Sequence, residues 1–187
     1  ATARIDAPMH GSVGVGTGAT LGKALGLTRA MKGGVGMTVV GHGAVRAFAL
    51  AAVNALGDVR DGAGQIVAGA RAEEASPPRF VDTARTLAAQ AVSHDTGAPT
   101  PFGNTTLAVV ALSVPLAREA LAQLAHAATG ALHRRITPCG TSYDGDVIFA
   151  LSPCLTVEPL APSAPIVALE ALAAEALEQA IERAVRT

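Results

Sequence analysis

Aromatic residues are nearly missing from this chain, which has four Phe, one Tyr and no Trp among 187 residues. A core without large rings must be closed by Ala, Val and Leu, and half of the residues are hydrophobic, enough to build one. Cysteine is scarce as well. Cys139 and Cys154 form no Cys-x-x-Cys pair and no zinc spacing. No metal is therefore expected, and the two read as reduced thiols of a cytoplasmic protein. Neither charge sign dominates, with 14 basic against 15 acidic residues, and the basic stripe of a nucleic-acid binder is absent. The longest apolar runs break at Gly, Arg or Pro well short of the ~18 residues that a membrane helix needs. Neither nucleic acid nor membrane is an expected partner. The first residues, ATARIDAPMH, lack the charged-then-apolar pattern of a signal and read as an internal point of a longer chain. The length suits one domain or a large part of one.

Glycine, by contrast, is abundant, and much of it falls in residues 11–36, GSVGVGTGATLGKALGLTRAMKGGVG. Single small residues among Val and Thr suit turns and tight backbone packing more than a helix. Strands are expected at Val35–Val40 and Val45–Val53, bent apart around Gly41-His42-Gly43. The second, VRAFALAAV, has so few polar residues that burial on both faces is expected. Turns are expected at Gly57-Asp58 and Asp61-Gly62. Residues 63–104 read as a surface connection with a short helix at Val81–Val92, a length that usually marks a function or disorder. A strand at Thr106–Leu112, a helix at Leu116–Arg134 behind Pro115, a loop at 137–146, a strand at Val147–Leu151 and a helix at Ile166–Val185 complete the pattern. Strand pairs followed by helices indicate layered α+β packing.

Three stretches carry candidate chemistry. Gly14-Val15-Gly16-Thr17-Gly18 suggests a dinucleotide loop, but no strand of normal length precedes it and no acidic residue follows a second strand about 20 residues on. Lys23 is not followed by the Ser or Thr of a phosphate loop. Close packing accounts for these glycines, and a nucleotide-binding module is the weakest reading. Gly103-Asn104-Thr105-Thr106 stands between a loose connection and an apolar strand. A hydroxyl residue at the head of a core strand is where N-terminal-nucleophile hydrolases keep their catalytic group. There the hydroxyl attacks the preceding carbonyl, water opens the resulting ester, and the freed α-amine, with an ordinary pKa of about 8, becomes the base for its own residue. Tyr143-Asp144-Gly145-Asp146 is an ordinary turn sequence, lacks the other ligands of a calcium loop, and also suits a pair of carboxylates that orient a neighbouring amine and hydroxyl. His126 and His133, seven apart on one helix face, have no partner motif and read as core-edge or surface residues.

With these residues in hand, a family resemblance is visible. GNTTLAVVALSVPLAREALAQLAHAATGALHRRITPCGTSYDGDVIFAL resembles the start of the small subunit in the β-peptidyl aminopeptidase, L-aminopeptidase D-Ala-esterase/amidase and nylon-oligomer hydrolase family. VGVGTGATLGKALG followed by MKGGVG resembles the end of its large subunit, and the apolar strand closing at Asn54 has a counterpart there. The resemblance runs from about Val13 to Leu151. It implies an αββα sandwich of the N-terminal-nucleophile hydrolase type, of which this chain holds the C-terminal part of the precursor. Residues 1–104 then end the large subunit in a flexible tail, and 105–187 form the small one. It also implies self-cleavage, no cofactor, peptide or peptide-like amides as substrates, and oligomers of cleaved heterodimers. Carried over by residue, Thr105 matches the nucleophile and Asn104 the residue before the cut. Asp144 and Asp146 match the acidic pair of the nylon-oligomer hydrolase branch, and Lys23 and Asn54 its lysine and asparagine. Asn54 is expected to donate to the developing oxyanion with Lys23 supplying positive charge beside it, a place for which Lys32 competes. The reading from a different class is a non-catalytic assembly or ligand-binding protein on the same fold.

Overall fold

The computed structural model describes residues 9–73, 79–90, 103–153 and 164–186. Val92, Cys154 and residues 74–78 and 91–102 of the connection that leads to Thr105 lie outside the described residues. The described strands are, in chain order, β1 (Thr20–Leu21), β2 (Met31–Lys32), β3 (Gly34–His42), β4 (Val45–Asn54), β5 (Asp58–Arg60), β6 (Ile66–Ala68), β7 (Thr105–Leu112), β8 (Ile136–Thr137) and β9 (Val147–Leu151). The helices are α1 (Thr83–Gln90), α2 (Arg118–Arg135) and α3 (Ile166–Arg183). The strands and helices anticipated from the sequence are present, with ends shifted by a few residues.

Strands β3, β4, β7 and β9 form one sheet in the order β3-β4-β7-β9. The period of two in β4 decides which way it faces: Ala47, Ala49, Ala51 and Val53 are fully buried. On β7 the buried set is Thr106, Ala108, Val110 and Leu112. Helices α2 and α3 cover this face. In α3, Leu169, Leu172, Ala173, Ala176, Leu177, Ala180 and Ile181 recur at helical spacing and are buried. α2 adds Leu124, Ala128, Ala131 and Leu132. Small residues are required at this contact. A Cβ on Gly36 of β3 would stand 2.0 Å from the Ala180 carbonyl oxygen, so α3 meets the sheet at backbone distance. Arg134 and Arg135 of α2 pair with Glu178 of α3, fixing the two helices side by side.

The opposite face departs from the sequence expectation. Phe48 and Leu50 of β4 are only half buried, and Val39, Leu107, Val147, Phe149 and Leu151 are exposed. VRAFALAAV is thus covered by helices on one face only. On the outer face Ala52 is buried beside the glycine-rich segment, whereas Phe48 and Leu50 are only partly covered among the described residues. Gly57-Asp58 also differs from the turn anticipated there. Asp58 begins β5, is fully buried, and joins β6 and β8 in a second, three-stranded sheet. Its carboxylate accepts from Ala70 N at 3.0 Å and from Thr83 N and Thr83 Oγ1 at 2.7 Å each. These bonds satisfy a buried charge and tie the start of α1 to β5. No described helix is long and apolar enough to cross a membrane.

Candidate active site

Strand register brings the candidate residues together. β4 and β7 are antiparallel, and Asn54, the last residue of β4, stands directly opposite Thr105, the first of β7. β9 runs parallel to β7 on its other side with Leu107 opposite Val147. The same register continues beyond the strand as a bridge between Asn104 and Asp144. Asn54, Asn104-Thr105 and Asp144-Gly145-Asp146 therefore meet at one end of the sheet, although the loop and β4 are far apart in sequence.

The geometry centres on one carbonyl. Thr105 Oγ1 lies 2.7 Å from the carbonyl oxygen of Asn104, and the backbone N–H of Gly145 donates to that same oxygen at 2.8 Å. Asp146 accepts the N–H of Thr106 on Oδ1 at 2.6 Å, holding the residue after Thr105. Asp144 turns Oδ2 to the N–H and hydroxyl of Thr141 at 3.0 and 2.7 Å. Its contribution is to lock the loop and to place a negative charge near Lys23. Both carboxylates thus lie in the loop before β9, Asp146 bonded to β7 and Asp144 to the loop itself.

Lys23 reaches the same point from the glycine-rich segment, and not as a flexible arm. Gly22 and Lys23 donate from their backbone N–H groups to Gly57 and Leu56. Gly22 has φ +68°, and a Cβ there would stand 2.0 Å from Ala70 N. Only glycine fits both the left-handed backbone and the contact. The side chain is buried, and its ammonium donates to Asn54 Oδ1 at 2.8 Å, Asn104 Oδ1 at 3.0 Å and the Asn54 carbonyl at 3.3 Å. Burial lowers its pKa to about 8, against a smaller upward pull from Asp144. Lys32 is exposed and donates to the Thr17 carbonyl instead, so of the two lysines it is Lys23 that reaches Asn54 and Asn104.

The amide of Asn54 does not point at the Asn104 carbonyl. Its Nδ2 donates to Gly103 O at 2.7 Å, while Oδ1 accepts from Lys23 and from Thr20 N. Asn54 grips the residue before Asn104, and the described donors on the Asn104 carbonyl are Gly145 N and the Thr105 hydroxyl. Asn104 itself is buried, with its side chain stretched between Lys23 and the Tyr143 carbonyl. Sequence reasoning had named Gly145 only as part of an Asp-Gly-Asp loop. Its role appears once β9 is laid parallel beside β7. Cys139 was likewise read as a plain thiol, yet Sγ donates to Asp146 Oδ2 at 3.2 Å. Burial, then the hydrogen bond to Asp146 and the charges of Asp146 and Asp144, push that thiol far above its ordinary range. The ring of Tyr143 is exposed. His126 and His133 lie on α2, and neither has a side-chain hydrogen bond to Thr105. Among the described residues no group of three or more His, Cys, Asp or Glu is placed to hold a metal.

A pocket of about 220 Å³ opens beside Thr105, lined by Val15, Gly18, Ala19, Ala52, Asn54, Thr105 and Leu107. The glycine-rich segment thus forms a wall next to Thr105. That segment makes one short 3-10 turn at Gly14–Gly16 and opens no helix, so it lacks the frame of a dinucleotide loop.

The sequence profile of peptidase family S58 matches residues 1–187. The chain belongs to peptidase family S58. It is 36% identical over 186 residues to an uncharacterized aminopeptidase of Mycobacterium bovis and, equally, to counterparts in Mycobacterium tuberculosis. These alignments cover 91% of this chain and 51% of each relative, so this S58 chain spans about half the length of the curated relatives it matches. Its fold resembles that of L-aminopeptidase D-Ala-esterase/amidase from Ochrobactrum anthropi (TM-score 0.60, 24% identity, 95% of this chain and 44% of that one). A β-aminopeptidase of Burkholderia sp. is also similar (TM-score 0.57, 24% identity, 95% and 46%). The first of these is described as a variant of the N-terminal-nucleophile hydrolase fold. This S58 chain has that α+β fold, in a portion corresponding to less than half of either solved chain.

Proposed function

We propose that this chain is part of an N-terminal-nucleophile amide hydrolase that cuts itself between Asn104 and Thr105 and then uses Thr105 to hydrolyse peptides or peptide-like linear amides. The observation that carries the reading is the pair of contacts on the Asn104 carbonyl oxygen, Thr105 Oγ1 at 2.7 Å and Gly145 N at 2.8 Å. The attacking oxygen lies beside the carbonyl it would attack, and a fixed donor already sits where negative charge would develop.

In self-cleavage Thr105 Oγ1 bonds to the Asn104 carbonyl carbon, the carbonyl electrons move onto oxygen, and Gly145 N–H stabilises them. Collapse breaks the C–N bond. The hydroxyl proton ends on the Thr105 nitrogen, leaving an ester with a free amine. Water then splits the ester into an Asn104 carboxylate and a Thr105 hydroxyl, giving one fragment that ends at Asn104 and one that begins at Thr105. In turnover the freed amine accepts the proton of its own hydroxyl as a substrate amide is attacked. Asp146 holds the strand through Thr106 N, and the positive charge of Lys23 favours the neutral form of the amine. No cofactor takes part in these steps.

Two relatives by fold are named as an aminopeptidase and a β-aminopeptidase, which supports an aminopeptidase reaction for the whole protein. Thr105 in company with Asp144 and Asp146 resembles the nylon-oligomer hydrolase branch more than a serine aminopeptidase, so linear oligoamides join peptides as the substrates to try. Oligomers of cleaved heterodimers are part of the same reading. The test is the intact mass of the purified full-length protein. Two fragments meeting at Asn104-Thr105 support the enzyme, and a single uncut chain without amidase activity supports the non-catalytic alternative.

A further inference from the structure

Among the described residues, Asp146 is the one carboxylate of the candidate site whose two oxygens are held from different parts of the fold. Oδ1 accepts the Thr106 N–H of β7 at 2.6 Å, and Oδ2 accepts the Cys139 thiol at 3.2 Å. Cys139 follows directly on β8 and Pro138 and is half buried, packed against the hydrophobic core. Gly140 comes next with φ +67°, and a Cβ there would lie 3.1 Å from the His133 ring. The chain turns at that point into the loop in which Thr141 holds Asp144. The two carboxylates of the loop are thus each anchored by a residue at its β8 end.

We propose that Cys139 is a positioning residue of this site, a neutral hydrogen-bond donor that fixes the Asp146 carboxylate so that its other oxygen holds the Thr106 N–H and, through it, Thr105. The inference rests on the reading of Thr105 as the nucleophile. A carboxylate only accepts, so each oxygen is settled by the donors it meets. Without the thiol, Oδ2 has to find water, and the side chain is free to rotate away from Thr106. A thiol suits this place because it is small enough for the core edge and adds no third negative charge to those of Asp144 and Asp146. Its raised pKa follows from the same contacts and keeps the proton on sulfur, so it serves as a donor and makes a poor nucleophile.

The test compares Cys139→Ser, which keeps a donor, with Cys139→Ala and Cys139→Val, which do not, in the full-length protein. Self-cleavage and the kcat of the matured enzyme should fall about fivefold to tenfold in the Ala and Val variants, the scale of one lost hydrogen bond. KM should hold steady, and the Ser variant should stay within about twofold of wild type. The S–H stretch of Cys139, isolated as the infrared difference between wild type and Cys139→Ser, should move towards the free-thiol position in Asp146→Asn. A Val variant as fast as wild type, a Ser variant as slow as Ala, or an S–H band indifferent to Asp146→Asn overturns the proposal. A wild type never cut at Asn104-Thr105 defeats the functional reading and with it the kinetic role, while the S–H band still decides whether the contact exists.

Discussion

The hydroxyl oxygen of Thr105 lies 2.7 Å from the carbonyl oxygen of Asn104, the residue immediately before it. That proximity makes the first prediction. Thr105→Ala removes the attacking oxygen and should leave one uncut chain of full mass. Thr105→Ser keeps the oxygen and should still be cut, since the strand pairing with Asn54 that places residue 105 is made by the backbone. Mass spectrometry reads both. Normal cutting of the Ala variant would sink the mechanism.

Gly145 supplies the second prediction. Its N–H lies 2.8 Å from the Asn104 carbonyl oxygen, and a Cβ added to it would lie 3.0 Å from Thr105 Oγ1. Gly145→Ala therefore has to push either the hydroxyl or the donor out of place. A lost oxyanion donor costs on the order of 100-fold in rate, so self-cleavage should slow by about 10-fold to 100-fold. A time course of cutting after synthesis checks this. An Ala variant that matures as fast as wild type would show that the Gly145 amide is not the donor that matters.

The sequence made the members of this site legible and left their partners hidden, for a physical reason. Lys23, Asn54, Thr105, Asp144 and Asp146 are side chains whose type announces chemistry, and the structure brings all five to one end of the sheet. What Gly145 contributes is a backbone N–H, which no residue letter encodes. It becomes visible only through the parallel register of β9 on β7. Asn54 shows the same limit. Its type suits an oxyanion donor, yet its direction is set by Lys23 and Thr20 on Oδ1, which turns Nδ2 towards Gly103. In the fold, helical and strand periods located the long elements. The apolar run in β4 misled because apolar composition alone does not say which face is covered. The glycines before Lys23, read as allowing tight backbone packing, include Gly22, which is wedged against Ala70.

Asp58 yields a prediction about stability apart from the chemistry. Its fully buried carboxylate accepts three bonds, two from Thr83 and one from Ala70, and burial raises its pKa in spite of them. Asp58→Asn keeps the shape but turns an NH2 towards a donor. One buried N–H is left unsatisfied, at about 1–3 kcal/mol. Urea unfolding near neutral pH should show a loss of that size. An Asn variant as stable as wild type would mean that the contacts tying α1 to β5 contribute nothing net.

Lys23 gives the last prediction, in which the sign is the test. Its ammonium is lowered from 10.5 to about 8, chiefly by burial. Between those values the folded chain holds fewer protons at Lys23 than the unfolded chain. Stability from this group therefore rises as pH rises through that window, and the full cost of burying the charge is present below it. The Cys139 thiol works the other way above its ordinary value of 9.0, because its folded pKa is raised. The comparison is thus wild type against Lys23→Met, in which the thiol is common to both. From about pH 7 to pH 9, wild type should gain about 1 kcal/mol relative to the variant. Kinetics give a second reading of the same charge. A cation near the Thr105 amine disfavours its protonation, so Lys23→Met should move the acidic limb of the rate profile upward. Lys32→Met should leave the limb in place, since Lys32 is exposed and bonded to Thr17. A larger shift from Lys32 than from Lys23, or a stability difference that shrinks on going from pH 7 to pH 9, would show that the buried ammonium is not the charge that tunes this site.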